Sequence, residues 1–349
     1  MTTATQRLVL WLELMIFPML AIGDSVTGVT GFQSNVVFSD YSPLSSSAEI
    51  VHRLLSPLNA AEVRKTLAHS AVGLRDQPID LAHERFTVYV PSHVPTRGYG
   101  LLVFIPPWEN AMLPVGWAAM LDRRGVIFVS AANSGNGMNI LDRRDPLALL
   151  AAHNIMQRFR VDPERTYLGG FSGGSRVALR LALGYPDLFR GVLLNAGSDP
   201  IGDVQVPLPP TELFSRFQEM TRIVYITGQN DAVNADKDAA STRSMLEWCV
   251  FDWYAERTPW TGHEVAGPAV LGRALDMLDK HALPNLARLN KCRLRLNQEL
   301  GKQMDQASDL LDAGNVDGAR RLLNKIDARY GGLAAPRSVD LAARIDGTD

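Results

Sequence analysis

Cysteine is nearly missing from this chain: Cys249 and Cys292 are the only two in 349 residues. Two are too few for a disulfide framework, and their spacing matches no metal-binding pattern. They either form one bridge between the sheet region and the C-terminal extension or remain two buried thiols. Charge of one sign is missing as well, with 35 basic against 37 acidic residues and a formal net charge of −2. That balance removes the electrostatic case for binding nucleic acid or an anionic membrane, and leaves a small or neutral substrate compatible. The apolar run Leu8 to Ile22 is short for a membrane span. It follows Arg7 and ends at Ala21-Ile22-Gly23, small residues of the kind a signal peptidase requires, so residues 1–23 read as an export signal. Glu13 and Pro18 interrupt that pattern, and the alternative is an amphipathic first helix on a cytoplasmic protein. No large inserted lid and no repeating period is evident, and neither a cofactor nor a metal is expected.

What the chain does contain is mass and alternation. At 46% hydrophobic it can bury a large core. Residues 24–47 are rich in Ser, Gly and Thr and read as a loosely ordered lead-in, and Ala48 to Leu67 reads as one helix. Strand candidates then follow at Phe86–Val90, Leu101–Ile105, Val126–Ser130, Arg165–Gly169, Gly191–Asn195, Ile223–Thr227 and Val250–Tyr254, dense in β-branched or aromatic residues. Asp145-Pro146 predicts a helix start with Asp at the N-cap, opening a helix to Phe159. Strands alternating with helices imply a mostly parallel sheet covered on both faces. From about residue 285 the pattern changes. Leu296, Leu300, Met304, Ala307 and Leu311 form one helical stripe, Gly314-Asn315 breaks it, and Ala319, Leu322, Leu323, Ile326 and Tyr330 form a second. That predicts a helical hairpin packed as an appendage on the sheet domain, or alternatively a protein-contact surface. The expected organisation is therefore 1–23 signal, 24–83 lead-in and helix, 84–284 sheet domain, and 285–349 helical appendage.

The most informative local pattern is Gly170-Phe171-Ser172-Gly173-Gly174, a G-x-S-x-G elbow with a strand before it and the Ala- and Leu-rich segment Ser175 to Gly184 after it. A turn sharp enough to expose a hydroxyl strains the backbone and leaves no room for neighbouring side chains, which explains the flanking glycines. A serine needs a base to take its proton. His263, in Trp260-Thr261-Gly262-His263-Glu264, stands in a turn-like segment and suits that role, whereas His281 follows a helix end and suits its dipole. The base in turn needs an acid, in the chain order serine, acid, histidine. Asp231 follows the strand Ile223–Thr227 across Gly228-Gln229-Asn230, and Asp199, after Gly191–Asn195, is its rival. Asp231 lies 59 residues after Ser172 and 32 before His263, room for two strand-helix units and then one.

With these residues in place the chain resembles the α/β-hydrolase superfamily, and within it the polyhydroxybutyrate-depolymerase-like and feruloyl-esterase-like branch. The segments that carry the likeness are Val161-Asp162-Pro163-Glu164-Arg165 leading into the elbow and Tyr185-Pro186-Asp187-Leu188-Phe189 leading into the next strand, within residues 84–280. The resemblance implies an α/β-hydrolase fold and a serine esterase that cleaves a carboxylic ester through an acyl-enzyme. Ser172 would be the nucleophile, His263 the base and Asp231 the orienting acid. A peptidase or thioesterase would use the same groups, and a non-catalytic scaffold of the same fold is the other class. One departure stands out. Many members of the branch carry a His-Gly pair after the strand that here runs Leu101 to Ile105, whereas this chain has Pro106-Pro107-Trp108-Glu109-Asn110. Proline cannot donate, so the backbone N–H groups of Gly173 and of Trp108 or Glu109 are left as donors to a developing oxyanion, with Trp108 preferred. The expected substrate is a small-molecule or polymer-end ester.

Overall fold

The computed structural model describes residues 28–68, 75–280 and 283–347. The expected export signal, and His281, lie outside the described residues. Eight strands form one sheet: β1 (Gly31–Val36), β2 (Phe86–Val90), β3 (Tyr99–Ile105), β4 (Val126–Ala131), β5 (Val161–Phe171), β6 (Gly191–Asn195), β7 (Arg222–Gly228) and β8 (Trp253–Thr258). Their spatial order is β1-β2-β4-β3-β5-β6-β7-β8. β2 runs antiparallel to both β1 and β4, and every other neighbouring pair is parallel.

The helices are α1 (Ser47–Leu54), α2 (Pro57–Ala68), α3 (Trp117–Arg124), α4 (Asp145–Arg158), α5 (Gly173–Gly184), α6 (Thr211–Met220), α7 (Ala232–Glu247), α8 (Pro268–Leu278), α9 (Leu286–Asp312), α10 (Val316–Tyr330) and α11 (Arg337–Asp346). Side chains alternate across a strand, so each buried strand feeds two cores. Leu102, Phe104, Phe128, Leu193, Val224 and Ile226 face α3 and α8. Leu101, Val103, Ile105, Val129, Leu168 and Val192 face the opposite way, against α4 and α5. No helix among the described residues is long and apolar enough to cross a membrane.

Four expectations need correction. Residues 31–36 are not a loose lead-in but edge strand β1, paired with β2 through a register irregularity between Gln33 and Val36. Its sequence, GFQSNV, carries no apolar alternation, because an edge strand half in water has little to bury. The single helix over 48–67 is two, divided where Leu55 turns extended ahead of Ser56-Pro57; proline disfavours the helical region for the residue just before it, Ser56, so the first helix stops short of that position. The last strand begins at Trp253 rather than Val250, since Cys249, at φ +64°, turns the chain and leaves Val250 in the core. Asp145 does not cap α4. A π-turn over Ile140–Arg144 runs into the helix, which makes Arg144 the N-cap residue and Asp145 the first helical one. The Asp145 carboxylate is buried without a hydrogen bond, and burial pushes its pKa up to about 7 against the lowering effect of Arg180 and Arg144.

The expected C-terminal hairpin is present as α9 and α10, and a third helix, α11, follows it through a turn at Gly331–Ala334. Both stripes turn inward: Leu296, Met304, Ala307, Leu323, Ile326 and Tyr330 are buried in the same core as α4 and α5. Arg293 of α9 grips α6 through Gln218, Glu219 and the carbonyl of Ser215. Asp327 of α10 accepts from Ser56 Oγ and Leu58 N and so caps α2 from outside. Cys249 and Cys292 are joined, tying the end of α7 to α9 across 43 residues of chain. Chain-entropy arithmetic for a loop of that length gives a contribution of about 4 kcal/mol. The Cys249→Ser, Cys292→Ser protein is expected to unfold in urea with stability lower by about that amount. An unchanged midpoint would mean that packing alone holds α9 in place.

Candidate functional site

The site stands at the carboxyl ends of the central parallel strands. Between β5 and α5 the chain reverses at Ser172, whose backbone sits at φ +53°, ψ −121°. This region is sparsely populated by non-glycine residues and costs on the order of 1–3 kcal/mol. The elbow is held by bonds to its neighbour: Ser172 N donates to Asn195 O at 2.9 Å, and Ser175 Oγ donates to Gly170 O and Asn195 O. Gly174 permits the turn, because a Cβ there would stand 1.9 Å from the carbonyl oxygen of Ile105.

Asp231 follows β7 and caps α7, with Oδ1 accepting from Asn234 N at 3.3 Å. Its side chain is buried. Asn234 Nδ2 donates to both carboxylate oxygens, at 2.9 and 2.8 Å. Burial raises the Asp231 carboxyl, yet the hydrogen bonds from His263 and Asn234 outweigh it and hold the group below the usual carboxylate range. His263 lies in the loop between β8 and α8. That loop crosses directly over the end of β7, where a Cβ on Gly228 would meet Gly262 O at 2.2 Å. Asn230 N donates to Thr261 O at 2.9 Å and pins the crossing. His263 Nδ1 is 2.7 Å from Asp231 Oδ2, and Nε2 is 3.0 Å from Ser172 Oγ. The imidazole rests on the Phe171 ring, centroids 4.9 Å apart, and keeps 45% of its side chain exposed.

The structure thus brings Ser172, His263 and Asp231 into one line, and it leaves Asp199 out. The Asp199 carboxylate pairs instead with Arg176 at 3.6 Å. Trp108 stacks its indole near Phe171 and Phe104, at centroid distances of 6.0 and 6.4 Å. Gly173 is overhung by Asn136, whose Oδ1 lies 2.2 Å from where a Cβ would be. Among the described residues no group of His, Cys, Asp and Glu could hold a metal ion.

Sequence order, an elbow at φ +53° after the fifth strand, an acid after the seventh, and one antiparallel strand beside an otherwise parallel inner sheet are now together. The fold is that of the α/β hydrolases. No family model matches this chain. Over 54 residues it is 48% identical to "Putative esterase NocK" of Nocardia uniformis subsp. tsuyamanensis, a stretch that is 16% of this chain and 14% of that protein's length. Among solved structures it is similar to the poly(3-hydroxybutyrate) depolymerase LpqC of Bordetella parapertussis, with 16% identity, 60% of this chain and 88% of that one covered, and a TM-score of 0.42. It is also similar to the S-formylglutathione hydrolase FrmB of Staphylococcus aureus, with 12% identity, 56% and 93% covered, and a TM-score of 0.44.

Two residues of this site escaped the sequence reading. Asn195, buried at the end of β6, accepts from Ala266 N through Oδ1 at 2.7 Å and reaches Glu264 O through Nδ2 at 3.3 Å. Its carbonyl holds the serine elbow, so one residue ties the serine to the histidine loop. The available signal was a polar side chain closing an apolar strand at the same edge as Ser172. Asn234 was hidden because Asp-x-x-Asn at a helix start reads as simple capping.

Proposed function

We propose that this protein is a serine hydrolase of carboxylic esters, acting through an acyl-enzyme. The observation that carries the reading is the unbroken contact from Asp231 through His263 to Ser172, at 2.7 and 3.0 Å. In this reading His263 Nε2 takes the proton from Ser172 Oγ as the hydroxyl attacks the acyl carbon. It then gives that proton to the leaving alcohol, and water reverses the sequence to release the acid. Asp231 keeps a proton on His263 Nδ1, so that Nε2 faces the serine as an acceptor. The N–H groups of Gly173 and Trp108 would stabilise the oxyanion. A substrate of the small-molecule or polymer-end ester class suits the half-exposed histidine.

A fluorophosphonate probe and a series of p-nitrophenyl esters test this together. Labelling at Ser172 with turnover of short esters is expected, and a folded protein that neither labels nor hydrolyses refutes the reading. The pH dependence gives a second check. Asn234→Ala removes two of the hydrogen bonds that hold the Asp231 carboxyl down, so its pKa rises and its charged form is lost at higher pH. The acid limb of the kcat/KM profile should therefore move upward in pH, with turnover lower by about tenfold. A profile that stays in place would exclude Asn234 from the charge balance of the pair.

We further propose that the chain works in an oxidising compartment. The Cys249–Cys292 bridge supports this, since such bonds persist there, and Arg7 with the run Leu8 to Ile22 supports export. Mass spectrometry of protein from its host, without reductant, should show a start near residue 24. An intact N-terminus would count against export.

A further inference from the structure

The backbone of the loop that replaces the His-Gly pair is held through its carbonyls. Pro106 and Pro107 have no N–H, so this part of the loop must be anchored through bonds that its carbonyls accept. Three such bonds are present. Pro107 O accepts from Asn136 N at 3.0 Å, Glu109 O accepts from Asn133 N at 2.6 Å, and Pro106 O accepts from Arg144 Nη2 at 2.9 Å. The first two are backbone bonds from the loop after β4. The third comes from a side chain that is 3% exposed.

The same guanidinium also holds the other loop. Arg144 Nε donates to Ser134 O at 2.9 Å. Ser134 lies two residues before Asn136, whose amide overhangs Gly173. One planar fork therefore adds to the two backbone bonds in setting the spacing between the segment that carries Trp108 and the segment that covers Gly173, the two proposed oxyanion donors. Burying a guanidinium is costly. A purely structural cation could sit against any carbonyls, whereas this one is turned inward by the π-turn at Ile140–Arg144 onto these two. Such turns recur at functional sites.

We propose that Arg144 is a positioning residue for ester hydrolysis, setting the place of the Trp108 N–H by holding Pro106 O and Ser134 O on one guanidinium. The inference rests on the esterase reading above. It assigns Arg144 no contact with substrate. Its effect belongs to the transition state alone, because an oxyanion donor displaced by a few tenths of an ångström binds the planar ester as before and the tetrahedral centre less well.

The test uses the full chain with Arg144→Lys, which keeps the charge and loses the fork, and Arg144→Gln, which keeps an amide donor and loses the charge. Wild type is measured first: if it neither hydrolyses p-nitrophenyl acetate nor labels at Ser172, the esterase reading falls and this inference with it. With wild type active, R144K is expected to fold, with kcat lower by about 10- to 100-fold and KM within about twofold. Its affinity for a trifluoromethyl ketone, which adds Ser172 as a tetrahedral mimic, should fall by the same factor as kcat/KM. R144Q should show the same pattern, since the single amide cannot span both carbonyls. A kcat within about threefold of wild type in both variants overturns the proposal. So does a loss that appears in KM, or in kcat without the matching loss of ketone affinity. Failure of both variants to fold also overturns it, by making Arg144 a requirement of the fold rather than of the site.

Discussion

Ser172→Ala is expected to lower ester hydrolysis by at least about 10⁴-fold while the protein stays folded. The alanine removes one hydroxyl from a half-exposed position and leaves the bonds that hold the elbow, from Ser172 N to Asn195 O and from Ser175 Oγ to Gly170 O, untouched. Ser172→Gly sharpens the result. At φ +53°, ψ −121° the serine is strained, and glycine is not. Relief of about 1–3 kcal/mol, less up to about 1 kcal/mol for the greater freedom of glycine in the unfolded chain, leaves a net gain of about 1 kcal/mol. An inactive S172G protein that is more stable in urea than wild type would show that the backbone is held against its preference to present that hydroxyl. Activity within about tenfold of wild type in S172A would end the serine-hydrolase reading.

Asp231→Asn is expected to reduce kcat by about 10⁴-fold, and Asp199→Asn by no more than about twofold. An amide in place of the Asp231 carboxylate donates to His263 Nδ1, which moves the ring proton to Nε2, the nitrogen that must accept from Ser172 Oγ at 3.0 Å. Asp199 contacts neither ring nor serine. Its partner is Arg176 at 3.6 Å, a partly exposed pair of the kind that contributes little. Steady-state kinetics on one short ester decide the matter, and the reverse ranking would transfer the acid to the end of β6.

The elbow was legible because its determinants are consecutive. A strand, a serine between glycines and a helix lie within about 20 residues of chain, and the steric demand that selects glycine acts between near neighbours. The buried strands were legible for a related reason: Val103, Val129, Val192 and Val224 sit in a sheet covered on both faces, so their segments are apolar throughout. Edge strand β1 was not, since half of it faces solvent and its composition matches that of a loop.

Chain order and residue type alone therefore determined the fold class, the candidate nucleophile and the short set of acids and bases that could serve it. Tertiary structure decided among them. Asp199 and Asp231 both follow buried strands, and strand position already favours Asp231; what the sequence leaves open is the contact itself, which depends on β8 lying beside β7 and carrying the His263 loop over Gly228 and within 2.7 Å of Asp231. The pairing of Cys249 with Cys292 likewise waited on α9 packing against the end of α7. Arg144 and Asn195 became visible only once the strand ends were neighbours, because a hydrogen bond depends on a distance of about 3 Å, and residues far apart in sequence carry no mark of that proximity.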